Sequence, residues 1–123
     1  MSVETDIQKD IRARILSEVA GVSVFDRHAF SEDPNPYVVF GPTQRVANHA
    51  KEARYSIYYV TLHLWTVDSS GSIATRDLAS EIIEAVDMHK LPNANLDAYF
   101  EDSLSVYEDD ESTNHVVISF QVR

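Results

Sequence analysis

The run YSIYYVTLHLWTV at residues 55–67 constrains this chain more than any other segment, because it reads as one long β-strand with bulky residues on both faces. Successive side chains of a strand point to opposite sides. Ser56, Tyr58, Val60, Leu62, Leu64 and Thr66 therefore share one face, and Tyr55, Ile57, Tyr59, Thr61, His63, Trp65 and Val67 share the other. The Val-Leu-Leu stripe marks the first set as the core side. The mixed aromatic and polar set suits a half-exposed surface or a subunit contact, and the strand as a whole needs cover on both sides.

A length of 123 residues matches one domain, residues 1–123, with a core that buries roughly two-thirds of the unfolded surface. The hydrophobic fraction of 44% beside 24% charged residues is that of a folded protein. The absence of cysteine excludes disulfides, thiolate zinc sites and cysteine nucleophiles, and fits a reducing cytosol. Met1 is followed by SVETDIQKD, which has neither the basic start nor the apolar run of a signal peptide. Apolar runs stay far short of the roughly 20 residues of a membrane helix, so a soluble protein without a membrane partner is expected. The net charge of −10 opposes a surface that grips nucleic-acid phosphates, because that affinity comes from Lys and Arg. It is compatible with a passage through which DNA slides without adhering.

Along the chain, Thr5 and Gln8 have capping-box spacing, and Ile7, Ile11, Ile15, Leu16 and Val19 recur at helical intervals up to Gly21. This predicts a helix over residues 5–20 and a short strand in VSVF at 22–25. Turn formers fill residues 26–36. Tyr37, Val38, Val39 and Phe40 predict a strand that Gly41-Pro42 ends, since Pro lacks the ladder donor. Residues 43–54 show no period and read as a basic loop. A second helix is predicted over 72–89, with Leu78, Ile82, Ala85 and Val86 as its buried stripe, Ile83 flanking it and Pro92 beyond it. From Leu96 the period is two: Leu96, Ala98, Phe100, Leu104 and Val106 share a face interrupted by Asp102. After the acidic turn 108–112, Val116, Ile118, Phe120 and Val122 alternate with His115, Val117, Ser119 and Gln121, completing a hairpin. The order α-β-β-β-α-β-β predicts an α+β fold, a mainly antiparallel sheet with both helices on one face.

Motifs for chemistry are absent from the sequence. The five histidines, His28, His49, His63, His89 and His115, show no ligand spacing. Glu101 and Asp102 are adjacent on a strand and point to opposite faces, so they do not converge as a catalytic pair. The acids at 108–111 lack the glycine and closing Glu of a calcium loop. Single glycines at 21, 41 and 71 do not cradle phosphate, and no G-x-S-x-G is present. Tyr58, Tyr59, Trp65, Tyr99 and Tyr107 are not interleaved with basic residues as in a base-stacking platform; Tyr and Trp also anchor interfaces. No cofactor and no enzymatic activity are expected.

The N-terminal amphipathic helix is followed by VSVFDR at 22–27, PYVVFGP at 36–42 and YYVTLHLWTV at 58–67. Then come the helix TRDLASEIIEAVD at 75–87 and a terminal hairpin ending NHVVISFQVR. In this order they resemble the small tail-completion, or tail-terminator, proteins of long-tailed bacteriophages and gene transfer agents. The likeness spans nearly the whole chain, and its most telling parts are the Pro-Tyr entry to the second strand and T-L-H-L-W just before a helix. These are patterns of fold, not of catalysis. The resemblance implies a structural protein of the virion tail and neck, assembled in the bacterial host cytoplasm. It implies a homo-oligomeric ring, typically of six subunits, that caps the tail tube, stops its polymerisation and offers the head-joining surface. The implied partners are further copies of the chain, the tail tube protein and a head-side connector or stopper, with DNA passing through the lumen without specific binding.

On that resemblance, Arg45, His49, Lys51 and Arg54 are candidates for the tube or partner contact, in a chain segment where Glu52 is the one acid. Tyr37, Val39, Tyr59, His63 and Trp65 are candidates for the ring interface, together with an exposed edge at 36–42 and the first helix. Glu101, Glu108, Asp109, Asp110 and Glu111 are candidates for acids facing the lumen. Two rival readings remain open to the sequence: a head-closure or stopper protein of the same particle, and a small non-catalytic ligand-binding α+β domain.

Overall fold

The computed structural model describes residues 2–25, 36–49, 54–67, 72–107 and 113–123. Its first helix, α1 (Val3–Glu18), starts at Ser2, whose hydroxyl accepts the Thr5 N–H at 3.1 Å. Ser2 is thus the N-cap, and Thr5 sits in the first turn instead of capping a helix over 5–20. Ile7, Ile11, Ile15 and Val19 are buried as the spacing requires, whereas Leu16 is 42% exposed. A step of about 100° from Ile15 carries Leu16 off the buried stripe. Gly21, at φ 76°, turns the chain into β1 (Ser23–Phe25), a conformation glycine adopts without strain.

The largest departure from the sequence reading lies in β2 (Tyr37–His49) and β3 (Arg54–Val67). Gly41-Pro42 does not end the strand. Phe40 pairs with Leu62 and Thr43 with Val60, so two residues face Thr61 alone in a bulge. The bulge accommodates a residue without an N–H, and the ladder resumes beyond it. Residues 43–49, read as loop, pair with 54–60. The partnership of β3 with β6 (Thr113–Val122) ends at Tyr58↔Val122, so the β2–β3 ribbon overhangs the sheet. A ribbon solvated on both faces has no reason to alternate, and this hid it from a periodicity reading. The predicted turn at 26–36 lies outside the described residues apart from Pro36.

The second helix, α2 (Ser72–Val86), is shorter than 72–89. Met88 takes φ 59°, ending the helical path, and β4 (His89–Leu91) follows and pairs with the start of β5 (Leu96–Tyr107). The six strands are ordered β1-β2-β3-β6-β5-β4, with β1 parallel to β2 and every other pair antiparallel. The α+β fold and the order α-β-β-β-α-β-β are as expected, with the three-residue β4 added. The outermost strands are three residues each and cover only the first three residues of β2 and of β5. Because β1 covers residues 37–39, the expected exposed edge at 36–42 is closed over that stretch.

Both helices pack on one face of the sheet. Tyr58, Val60, Leu62 and Leu64 of β3 meet Ile118, Phe120 and Val122 of β6, beneath Ile7, Ile11, Ile15, Ile82 and Val86. Each such aliphatic or aromatic side chain contributes about 1.5–3 kcal/mol when fully buried. Arg14 of α1 ties the helices together by donating Nε–H to the Ala85 carbonyl at 2.6 Å. Asp10 is the buried exception in α1: its carboxylate accepts the N–H groups of Asn93 and Ala94, both at 2.9 Å, and the Asn93 amide at 2.6 Å. It thereby holds the β4–β5 turn against the helix.

Candidate assembly surfaces

The face of the sheet opposite the helices gathers the predicted interface residues. Cross-strand partners share a face, and the pairs Tyr37↔Trp65 and Val39↔His63 place four of the five candidates side by side. Tyr59 lies on the same side further along β3, where the Gln121 amide donates to its hydroxyl at 3.5 Å. The sequence reading missed the other half of this surface. His115 and Val117 of β6 lie opposite Trp65 and His63, and Val106 and Leu104 of β5 lie opposite those. The expectation that Leu104 and Val106 share a face with Leu96, Ala98 and Phe100 is overturned. A register shift between Phe100 and Asp102 inserts one residue, so Phe100 faces inward with Phe120 while Leu104 turns outward, 64% exposed. A bulge reverses the parity of every later residue.

Near the centre of this strip the His115 ring stacks on Trp65 at 3.7 Å between centroids and 10° between planes. His63 Nδ1 and His115 Nε2 lie 2.8 Å apart, a hydrogen bond in which one nitrogen donates and the other accepts. Burial, followed by the neighbouring His115, holds the His63 imidazole below its ordinary pKa. Gly41 makes the arrangement possible: a Cβ there would stand 2.8 Å from His63 Nε2. Sequence spacing gave no hint of this pair, because 52 residues separate its members. Among the described residues no group of three His, Asp or Glu converges as a metal site.

The basic candidates divide. Arg45 lies in a strand, not a loop; its Nε–H donates to Ser56 Oγ at 3.1 Å and its guanidinium lies 5.6 Å from the Tyr58 ring centroid. His49 and Arg54 are paired with each other in the backbone ladder at the far end of the ribbon. Lys51 lies outside the described residues. Of the acidic candidates, Glu101 is exposed at the β5 bulge, and Glu108, Asp109, Asp110 and Glu111 lie outside the described residues.

Comparison with known proteins shows the family in which these surfaces occur. The sequence signature of the family described as Tail completion protein gp17 matches residues 9–123. The chain belongs to the tail completion family. It is accordingly a structural protein of a bacteriophage-type tail. The fold of this tail completion protein is also that of a chain in a solved structure described as "Virion of native gene transfer agent (GTA) particle". The TM-score is 0.84 at 15% identity, over 99% of this chain and 96% of the other. No curated protein matches by sequence. Among the described residues, no helix is long and apolar enough to cross a membrane.

Proposed function

We propose that this tail completion protein is a non-catalytic tail terminator: a ring, of six subunits by the family resemblance, that caps the tail tube, stops its growth and offers the surface to which the head is joined. Family membership supports the setting. The observation that carries the reading is the strip of Tyr37, Val39, His63, Trp65, Val117 and Leu104, left uncovered by helices that both occupy the other face. In the proposed ring a neighbouring subunit covers this strip. Such a contact is heterologous, one patch against a different one, and closes into a ring.

The far end of the β2–β3 ribbon, with His49 and Arg54, together with Lys51 between them in sequence, is the proposed contact to the tube or to the head-side connector. Glu101 is the proposed lumen acid, where it keeps passing DNA from adhering. Light scattering on the purified protein, alone and mixed with its cognate tail tubes, tests the reading. A ring-sized species or stoichiometric capping of tube ends is expected. A monomer that leaves tubes free to grow overturns it, and co-purification with filled heads instead of headless tails would identify a stopper.

A further inference from the structure

Where β6 leaves the sheet, the ribbon of β2 and β3 continues on one side and β5 on the other, leaving a notch. Its cavity of about 610 Å³ is lined by Val3, Ser56, Tyr58, Leu96, Tyr99 and Arg123, among others. Arg123, 4.9 Å from the Tyr99 ring centroid, belongs to its lining, and Arg45, held over Tyr58, stands beside it on the helix side of the sheet. The ladder of β3 with β6 ends at Tyr58, so residues 54–57 present an edge with no described partner on that side. Apolar walls, one cation in the lining and a second beside it, and a strand edge without a described partner define an acceptor for an extended acidic segment with an apolar or aromatic residue beside its carboxylates.

We propose that the notch receives the acidic segment of a second copy of this chain, residues 107–111. Tyr107 there precedes Glu108, Asp109, Asp110 and Glu111, the densest acidic run in a chain of net charge −10. Charge complementarity favours this occupant over a basic partner. Geometry requires it to come from another copy. β5 runs from Leu96, which lines the notch, to Tyr107, at the other end of the sheet. Its twelve residues span roughly 38 Å, whereas the four acids that follow reach at most about 14 Å. Donor and acceptor at opposite ends of one subunit make a head-to-tail contact, the kind that builds closed rings. Tyr99 and Arg123 share the outer face with Tyr59, by way of Gln121, so one neighbour spans the notch and the aromatic strip together. The acidic run then serves a subunit contact and not the lumen.

This inference deepens the proposed self-assembly, and its test is separable from that of the ring. A fluorescein-labelled peptide of residues 105–113, SVYEDDEST, is titrated into the full-length protein and followed by anisotropy. Saturable binding is expected, weakened about tenfold or more by Arg45→Glu or Arg123→Glu, which removes one partner of a charge pair. Binding should also fall with added salt and with Ser at the peptide's tyrosine. Circular dichroism and melting of the two variants check that they fold. No saturable binding, or equal affinity for wild type and both variants, overturns the proposal. Light scattering then separates the two readings. A wild-type ring that persists when Arg45→Glu and Arg123→Glu are combined in one chain sinks the notch contact and leaves the ring, whereas peptide binding by a monomer that ignores tubes sinks the ring and leaves the notch. Loss of tube capping in the variants without peptide binding means that another protein occupies the notch, and overturns the proposal as stated.

Discussion

Gly41 and His63 show how tightly single positions are set on the outer face. Gly41→Ala drives a methyl against His63, 2.8 Å from Nε2, and the Thr61 carbonyl at 3.3 Å limits retreat. A loss of about 1–3 kcal/mol is expected from such overpacking, read by urea unfolding. In a His63→Ala background the same substitution should cost much less, because the clashing ring is gone; an equal cost in both would show that the strain is in the backbone. His63 also makes stability depend on pH. The folded pKa of His63 lies below its ordinary value near 6.5, so between the two values the unfolded chain binds more protons. Stability from this source is complete above about 6.5 and is lost as pH falls through that value toward the folded one. His63→Gln should flatten the pH dependence of the melting temperature between pH 7 and 5; an unchanged slope would exclude His63 as its source.

Among the elements, the β4–β5 turn depends on a residue far away in sequence. Asp10 accepts three hydrogen bonds from Asn93 and Ala94, so Asp10→Ala leaves those donors without their acceptor in a partly buried site. A cost of about 2–4 kcal/mol is expected, with Asp10→Asn milder because its carbonyl still accepts. Chemical denaturation of the two variants checks this, and equal losses would show that the charge, not the acceptor geometry, matters. The β5 bulge yields the opposite expectation for Leu104. Although the strand pattern of the sequence sets it on one face with Leu96, Ala98 and Phe100, Leu104→Lys should change stability by less than about 0.5 kcal/mol, as measured by the urea midpoint. A loss of the size seen for buried leucines would restore the unbulged register.

For the molecule as a whole, both helices shield one side of the sheet while aromatic and aliphatic side chains cross the other. Replacing Leu104 and Val117 together with Lys puts two charges into that strip without touching the helix-side core. The double variant should melt within a few degrees of wild type yet fail to form rings or cap tubes in the light-scattering assay. A folded variant that still assembles would move the subunit contact off this face. Much of this surface was legible in the sequence, since the alternation in 55–67 separated His63 and Trp65 from Leu62 and Leu64 correctly. What was not legible was its extent. Val106 and Leu104 join it only through a one-residue bulge, and His115 meets His63 only because β6 lies beside β3.

By itself the sequence determined the local properties: where apolar residues recur at helical or strand period, which face of β3 is buried, that cysteine chemistry is unavailable, and the family to which the order of motifs belongs. These are carried by neighbouring residues, whose geometry follows from backbone periodicity alone. The tertiary structure decided what depends on partners distant in the chain. It carried β2 through Gly41-Pro42 because β3 pairs on both sides of the bulge, and shortened α2 where Met88 turns left-handed. It also turned Asp10 inward to meet Asn93 and Ala94, and set Arg123 over Tyr99 in the lining of the notch. Register and bulges are fixed by the sum of many cross-strand contacts, and a one-residue change in them redirects every side chain that follows.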